Sequence, residues 1–178
     1  MGTSIIFETH SLTEDNEAGV ATGWRPGRLS PRGRELAREL GARRREDGLA
    51  AVFTSDLERA VETVSLALGD TGIPVLHDWR LRECDYGELN GSTSAVVHGD
   101  RLARLGVPYP GGESWTEAVD RAAGLLSHLP TRWEGQRVLV VGHVATRWAL
   151  DHHLDGVPMA ALAQEHFAWQ PGWEYTLE

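Results

Sequence analysis

Short apolar runs separated by polar stretches predict the strands of a buried sheet. They lie at residues 5–7, 50–54, 73–76 and 137–141. The last run, Arg137-Val138-Leu139-Val140-Val141, is the clearest, because a continuous series of valine and leucine is typical of a strand buried on both faces of a parallel sheet. The final segment, residues 165–177, predicts one or two edge strands.

Between these runs, apolar residues recur at helical spacing. Ser30-Pro31 predicts a helix start, with serine as the N-cap and proline in the first turn, and the helix is expected to run to about Arg45. Ser55-Asp56 is expected to cap the next helix. Further helices are expected, weakly, at 93–107, across the positions from Val119 to Leu129, and at about 145–154, while 14–27 and 77–92 are expected to be irregular.

Polar side chains follow several of the predicted strands. His10 comes directly after the first strand and His143 after the valine-rich one, while Arg59 falls at the start of the helix after the second strand. In an α/β fold with a mostly parallel sheet, the carboxyl ends of the strands meet at one edge, where ligands bind. A lone histidine at a strand tip is usually a turn residue, but the combination predicts a catalytic or binding site.

Composition narrows the possible functions. The net charge of −9 and pI near 5.3 argue against a nucleic-acid or anionic-membrane surface, since both need a basic footprint. All 17 basic residues are arginine, which excludes a Schiff-base or P-loop lysine. Cys84 is the single cysteine, so no intrachain disulfide forms. With no export signal or apolar run of about 18 residues, the expectation is a soluble, cytoplasmic protein.

Several blocks, in order along nearly the whole chain, resemble the histidine phosphatase superfamily of phosphoglycerate mutase-like proteins. The matching blocks are Glu8-Thr9-His10-Ser11-Leu12-Thr13 with Asn16, Gly23-Trp24, Leu29-Ser30 with Gly33, residues 54–60 with Glu62-Thr63, Leu81-Arg82-Glu83 with Tyr86-Gly87 and Gly91, Gly112-Glu113-Ser114, and Val141-Gly142-His143. The resemblance implies a single domain over residues 1–178, folded as a three-layer α/β/α sandwich around a mostly parallel sheet.

The resemblance also implies a role for each matching residue. His10 would take the phosphoryl group as a phosphohistidine, while His143 and Arg59 would stabilise that group in transfer. Glu83 would protonate the leaving alkoxide and then activate water, and Asn16 would add a donor to the phosphate. The scheme requires neither a metal nor a cofactor, and its partner is a small phosphorylated substrate; a homodimer is left open.

The block around His10 departs from the family's Arg-His-Gly motif, because it is Thr9-His10-Ser11 in this chain. Thr9 stands where the family has an arginine, and Glu8 where an apolar residue is usual. The lost charge-assisted hydrogen bonds contribute about 1.5 to 3 kcal/mol each. Three interpretations are open. Another arginine, oriented by Glu8, replaces the missing one at the phosphate. Alternatively, the Thr9 hydroxyl binds a less charged group of a different substrate, or the site binds phosphate with little turnover. The candidate arginines are Arg25, Arg28, Arg82 and Arg147.

Specificity is expected to come from loops around the site. Trp24, Arg82 and Glu8 are candidate substrate contacts, and residues of about 88–115 are expected to form a lid. The segment of the chain between Glu83 and Gly112 is short, whereas a mutase of this family usually carries a longer insertion there, so the sequence favours a phosphatase over a mutase. The sequence therefore predicts a metal-independent phosphomonoesterase. A phosphate-ester binding or regulatory module with diminished activity, or a mutase, is the alternative, and a metal-dependent hydrolase built on the eight histidines is the least favoured interpretation.

Overall fold

A five-stranded sheet forms the centre of the protein in a computed structural model that describes residues 2–178. Four strands are parallel and lie in the order β4, β3, β6, β1, and β7 pairs antiparallel with β1 at the edge. Their bounds are β1 Thr3–Thr9, β3 Ala51–Thr54, β4 Val75–His77, β6 Arg137–Gly142 and β7 Trp173–Leu177. The predicted mostly parallel sheet and its edge strand are confirmed.

Helices cover both faces of this sheet. Their bounds are α1 Glu14–Glu17, α2 Pro31–Arg44, α3 Glu58–Leu68, α4 Ser94–Gly99, α5 Trp115–Ala123, α6 Leu129–Trp133, α7 Val144–His153 and α8 Met159–Gln164. The start of α2 is as predicted, because the Ser30 hydroxyl accepts a hydrogen bond from the Gly33 N–H and Pro31 occupies the first turn. A second, two-stranded antiparallel sheet joins β2 (Val20–Ala21) to β5 (Ser92–Thr93).

The alternation of side chains along the strands divides the core into two layers. In β6 all four residues from Val138 to Val141 are buried, which confirms the strand as one covered on both faces. Leu139 and Val141 face α2 and α3, whereas Val138 and Val140 face the helices after residue 124. The layers are thus helix, sheet and helix, as predicted.

A third apolar cluster anchors the segment of residues 88–115 to the rest of the domain. Trp115 is fully buried and its ring lies 4.3 Å from that of Trp148 in α7. The Trp115 indole N–H donates to the Tyr109 hydroxyl at 3.2 Å, and that hydroxyl donates to the Val97 carbonyl. The segment is therefore packed against α5 and α7.

Parts of the element pattern expected from the sequence need correction. Residues 14–27 contain α1 and β2, because Thr13 and Asn16 form a reciprocal capping box that starts a short helix. The helix expected across Val119 to Leu129 ends at Gly124, and a 3-10 turn and α6 follow. Helix α8 was not expected. Among residues 2–178, no helix is long and apolar enough to span a membrane.

Candidate active site

The tips of three neighbouring strands bring the candidate side chains together. His10 follows β1, His143 follows β6 and Ser55 follows β3, and β6 lies between the other two strands. The backbone N–H of His10 donates to the Gly142 carbonyl at 2.9 Å, so the chain stays in register with β6 up to the histidine. The meeting of the two histidines at one sheet edge is the arrangement expected from a parallel sheet.

The ring of His10 is fixed through one nitrogen. Nδ1 lies 2.7 Å from the Ser11 carbonyl oxygen, and because a carbonyl can only accept, Nδ1 carries the proton. The lone pair is therefore on Nε2. The half-buried ring has lost much of its hydration, and this loss together with the Arg59 charge lowers the pKa of His10 to about 3. At neutral pH the ring is an uncharged nucleophile.

His143 lies deeper than His10, and the two ring centres are 5.0 Å apart. Its Nε2 is 2.7 Å from the Ser55 hydroxyl, and its Nδ1 is 3.4 Å from Nη2 of Arg59. Burial, followed by the charge of Arg59, holds the pKa of His143 well below its usual range. Both imidazoles are thus uncharged beside a guanidinium.

Arg59 supplies the positive charge of the site from the first turn of α3. Its side chain is buried, and Nη2 donates to the Gly23 carbonyl at 2.9 Å. This bond to the loop after β2 fixes the guanidinium before any ligand binds. A fixed guanidinium can donate two parallel hydrogen bonds to a phosphoryl group.

Glu83 presents its carboxylate at the N-terminus of α7. Oε1 accepts hydrogen bonds from the backbone N–H groups of Cys84 and Ala145 at 2.9 and 3.1 Å, and Oε2 accepts from Val144 at 3.3 Å. The helix N-terminus provides unpaired N–H donors and a favourable dipole for this charge. Glu83 therefore lies beside His143, in a fixed position.

A cavity of about 450 Å³ opens over these groups. All six residues predicted from the sequence to be catalytic or phosphate-binding line it: Thr9, His10, Asn16, Arg59, Glu83 and His143. The side-chain oxygen of Asn16 accepts from the Thr13 N–H, so its amide nitrogen is the atom free to donate. The volume is in the range of ordinary small-molecule sites.

Two of the three candidate substrate contacts, Trp24 and Arg82, lie outside the cavity wall. The Trp24 indole N–H donates to the Glu83 carbonyl at 2.7 Å, and Arg82 stacks on the Trp24 ring while pairing with both oxygens of Asp56. Arg121 donates to the same Glu83 carbonyl. Trp24 and Arg82 therefore support the loop that holds Glu83, and a substrate contact at either residue stays a prediction.

Within residues 2–178, no three histidine, cysteine, aspartate or glutamate side chains are grouped as a metal site would require.

A family model described as histidine phosphatase superfamily (branch 1) matches residues 5–171. The chain belongs to the histidine phosphatase superfamily. A 2,3-bisphosphoglycerate-dependent phosphoglycerate mutase of Methylobacterium radiotolerans is 36% identical over 172 residues, which cover 88% of this chain and 81% of the relative. A phosphoglycerate mutase of the same description from Mannheimia succiniciproducens is 28% identical, and the alignment covers 98% of this chain and 94% of the relative.

Solved structures of similar fold agree with this assignment. The Bacillus stearothermophilus protein YhfR aligns with a TM-score of 0.85 and 27% identity, covering 97% of this chain and 90% of that one. A mycobacterial glucosyl-3-phosphoglycerate phosphatase in complex with VO3 aligns with a TM-score of 0.79 and 26% identity, covering 90% and 85%. The phosphoglycerate mutase-like fold expected from the sequence is confirmed.

The departure from the superfamily pattern at Glu8 has a structural explanation. The Glu8 carboxylate is buried and accepts from Nε and Nη2 of Arg43, at 3.0 and 2.9 Å, and from Nε of Arg44 at 2.8 Å. Glu8 thus does orient an arginine at the cavity wall, but Arg43 was not among the candidates.

None of the four candidate arginines lines the cavity in the described part of the chain. Arg82 pairs with Asp56, Arg147 pairs with Asp151 and Glu165, and Arg25 and Arg28 are exposed. The lining arginines are Arg43, Arg59 and Arg101.

Sequence reasoning also missed Ser55, Thr63 and Arg101. Ser55 was interpreted as a helix cap, but Leu57 is the N-cap of α3 and has no side-chain cap. The Ser55 hydroxyl accepts from the Leu57 backbone N–H at 3.3 Å and is bonded to His143. The position of Ser55 directly after a strand could have indicated this role. The Thr63 hydroxyl accepts from the Ser11 N–H at 2.9 Å and fixes the turn after His10. Arg101 carries no sequence signal, because nothing in its neighbourhood matches the family blocks.

Proposed function

We propose that this protein is a metal-independent phosphomonoesterase that works through a phosphohistidine at His10. The observation that carries the proposal is an uncharged His10, with Nε2 free to react, in one cavity with Arg59 and His143. Phosphoryl transfer requires mainly a nucleophile in line with the leaving group and fixed hydrogen-bond donors around the equatorial oxygens of the phosphoryl group. His10 is the proposed nucleophile, and Arg59 and His143 are the proposed donors.

In the first step, Nε2 of His10 attacks the phosphorus and the bond from phosphorus to the substrate oxygen breaks. Arg59 donates to the equatorial oxygens, and the Asn16 amide adds a further donor. The leaving alkoxide takes a proton from Glu83, which enters this step as a carboxylic acid and leaves it as the carboxylate that the backbone N–H groups of Val144 and Ala145 hold. The products of this step are the free alcohol and phosphohistidine.

His143 needs one particular tautomer for this step. To donate to the phosphoryl group, His143 must carry its proton on Nδ1, which then gives up its 3.4 Å hydrogen bond from Nη2 of Arg59, a group that can only donate. Its Nε2 must then accept. The Ser55 hydroxyl, 2.7 Å from Nε2, can donate to it in that state. Ser55 therefore acts as a positioning residue for His143.

In the second step, water attacks the phosphohistidine from the side that the alcohol has left. The Glu83 carboxylate takes a proton from that water, the bond from phosphorus to Nε2 breaks, and inorganic phosphate leaves. His10 returns to its uncharged form and Glu83 to its protonated form, so the cycle balances without another reactant.

Hydrolysis is favoured over a mutase reaction by the segment between Glu83 and Gly112, which is short and packed down through Tyr109 and Trp115. The relatives named mutases make the mutase reaction the alternative. A panel of phosphate esters, incubated with wild-type protein and with His10→Ala, tests the choice. We expect phosphate release by the wild type only; isomerisation of 3-phosphoglycerate primed by 2,3-bisphosphoglycerate, without release, would establish the mutase instead.

A second candidate function is phosphate-ester binding with little turnover. It is supported by Thr9, because none of the four candidate arginines lines the cavity to replace the arginine that the family has at this position. Thr9→Arg separates the two functions. For a working phosphatase whose pocket is built around threonine, the substitution lowers kcat/KM. A gain of about ten-fold or more, the value of one charge-assisted hydrogen bond, over a nearly inactive wild type supports the binding module.

A further inference from the structure

Arg101 is a buried cation without an anionic partner. The residue lies just after α4 and is 6% exposed, and its Nε is fully buried with no hydrogen-bond acceptor. Among the carboxylates of residues 2–178, none lies within ion-pair distance of it, and the neighbouring Asp100 is paired with Arg104. Burying an unpaired charge is costly, so such a side chain points to an anion that completes it.

Two tryptophans hold the guanidinium of Arg101 in place. Its central carbon lies 5.3 Å from the ring centre of Trp115 and 5.5 Å from that of Trp148. Cation–π contacts of this kind stabilise the charge through the face of the guanidinium. They leave the two terminal Nη groups, unlike the buried Nε, open to bind a carboxylate or phosphate in bidentate fashion.

Arg101 shares its cavity with the phosphoryl site. Ser94, His98 and Arg101 line the wall formed by α4 and the turn after it, while His10, Arg59 and His143 line the wall at the sheet edge. The volume of about 450 Å³ is far more than a phosphoryl group needs, so a bound substrate extends beyond its phosphate. A substrate that spans the cavity meets Arg101 with the part remote from the reacting bond.

We infer that Arg101, with Ser94 and His98 beside it, forms a second anion subsite, and that the substrate is a phosphate ester with a second anionic group away from the phosphate that is transferred. This inference rests on the proposed phosphoryl site at His10. The second anionic group is a carboxylate or a second phosphate, since each has two oxygens that can accept parallel hydrogen bonds from one guanidinium. Arg101 is then a specificity-determining residue within the segment of residues 88–115.

Two pairs of substrates distinguish the sources of the second anion. Glycerol 3-phosphate against 3-phosphoglycerate differs at a carboxylate, and fructose 6-phosphate against fructose 1,6-bisphosphate differs at a second phosphate. We expect the wild type to prefer the more anionic member of at least one pair, and that pair identifies the group. No preference in either pair overturns the inference.

The variant Arg101→Met tests the residue itself. We expect the preference, as a ratio of kcat/KM values, to fall about 10- to 100-fold, the range of a charge-assisted bond. The control Arg104→Gln lies in the same segment and does not line the cavity. Arg104 is partly exposed and contacts Asp100, the Pro108 carbonyl and the Tyr109 ring, so the ratio of its variant should stay within about two-fold of wild type. An unchanged ratio in Arg101→Met overturns the inference.

Thermal unfolding separates recognition from a structural role. Because Arg101 has no anionic partner among residues 2–178, replacing it by an apolar side chain of similar length removes only its cation–π contacts with Trp115 and Trp148 and should lower Tm only slightly. A large fall in Tm would show that Arg101 is needed for folding and would contradict the role proposed for it.

Calorimetry on His10→Gln, with the same four esters, tests the subsite without turnover. Tighter binding of the more anionic ester, lost on adding Arg101→Met, supports the subsite even if hydrolysis by the wild type is absent and the proposed function fails. Equal binding of both members of each pair, in a protein that does hydrolyse phosphate esters, overturns the subsite alone.

Discussion

His10 and His143 are uncharged because each loses hydration beside Arg59. In the unfolded chain both would bind a proton near pH 6.5. Their pKa values are depressed in the folded state, so below about pH 6.5 the unfolded state holds more protons and stability falls as the pH falls, for His10 down to about pH 3. Above the unfolded value both states are neutral and neither histidine destabilises the fold. This charge state suits a nucleophile that works near neutral pH.

Replacing His10 should therefore reduce the acid sensitivity of the fold. We expect wild-type protein to lose about 1 to 2 kcal/mol more unfolding free energy than His10→Gln between pH 7 and pH 5, since the variant has no proton to take up there. Urea unfolding at the two pH values measures the difference. Parallel losses in the two proteins would show that His10 titrates normally.

Ser55 tests the tautomer of His143. In Ser55→Ala, Nε2 of His143 loses its hydrogen-bond partner at 2.7 Å, and kcat should fall about 5- to 10-fold with little change in KM. Ser55→Thr keeps the hydroxyl and should restore most of kcat. The matched control is Ser65→Ala on the exposed face of α3. A variant that lowers kcat without rescue by threonine would contradict the assigned role.

At the scale of elements, the first turn of α2 fixes the chain that follows His10. The Ser11 hydroxyl donates to the Gly33 carbonyl, and a Cβ built on Gly33 would lie 1.8 Å from the Leu12 carbonyl oxygen. No side chain fits between the helix and this backbone. The glycine is required by close approach rather than by an unusual φ.

Gly33→Ala should consequently displace the segment after His10. We expect a loss of about 1 to 3 kcal/mol in unfolding free energy, with a fall in kcat because the His10 ring is bonded to the neighbouring Ser11 carbonyl. Gly106→Ala is the control, since a Cβ there meets nothing within 4 Å. Full activity in Gly33→Ala would mean that the two elements separate without moving the site.

The last turn of α2 is joined to β1 through Glu8. One buried carboxylate serves both Arg43 and Arg44, and Arg44 also donates to the Pro171 carbonyl before β7. Removing one partner from a buried ion pair typically costs about 3 to 5 kcal/mol. Because Arg43 is partly exposed, the expected cost is at the low end of this range.

Glu8→Gln should therefore lower the unfolding free energy by about 3 kcal/mol, measured by urea titration. Its control is Glu35→Gln, which removes a surface pair with Arg32 and should cost less than about 1 kcal/mol. Similar costs for the two variants would mean that the buried cluster does not dock α2 on the sheet.

For the molecule as a whole, the parts of the site that could be predicted are those set by local sequence. His10 and His143 were found because a buried run fixes where each strand ends, and a parallel sheet brings those ends together. The supporting contacts of Trp24 and Arg82 could not be predicted, because their partners Glu83 and Asp56 are distant in sequence. The partner of Glu8 was missed for the same reason, as Arg43 is 35 residues away.

Rapid quenching with a radiolabelled phosphate ester shows whether His10 carries the phosphoryl group during turnover. We expect label on the protein that is stable to base and labile to acid, that maps to the peptide containing His10, and that is absent from His10→Gln. Turnover of the ester with no label on the protein, or label on any other residue, would contradict this role of His10.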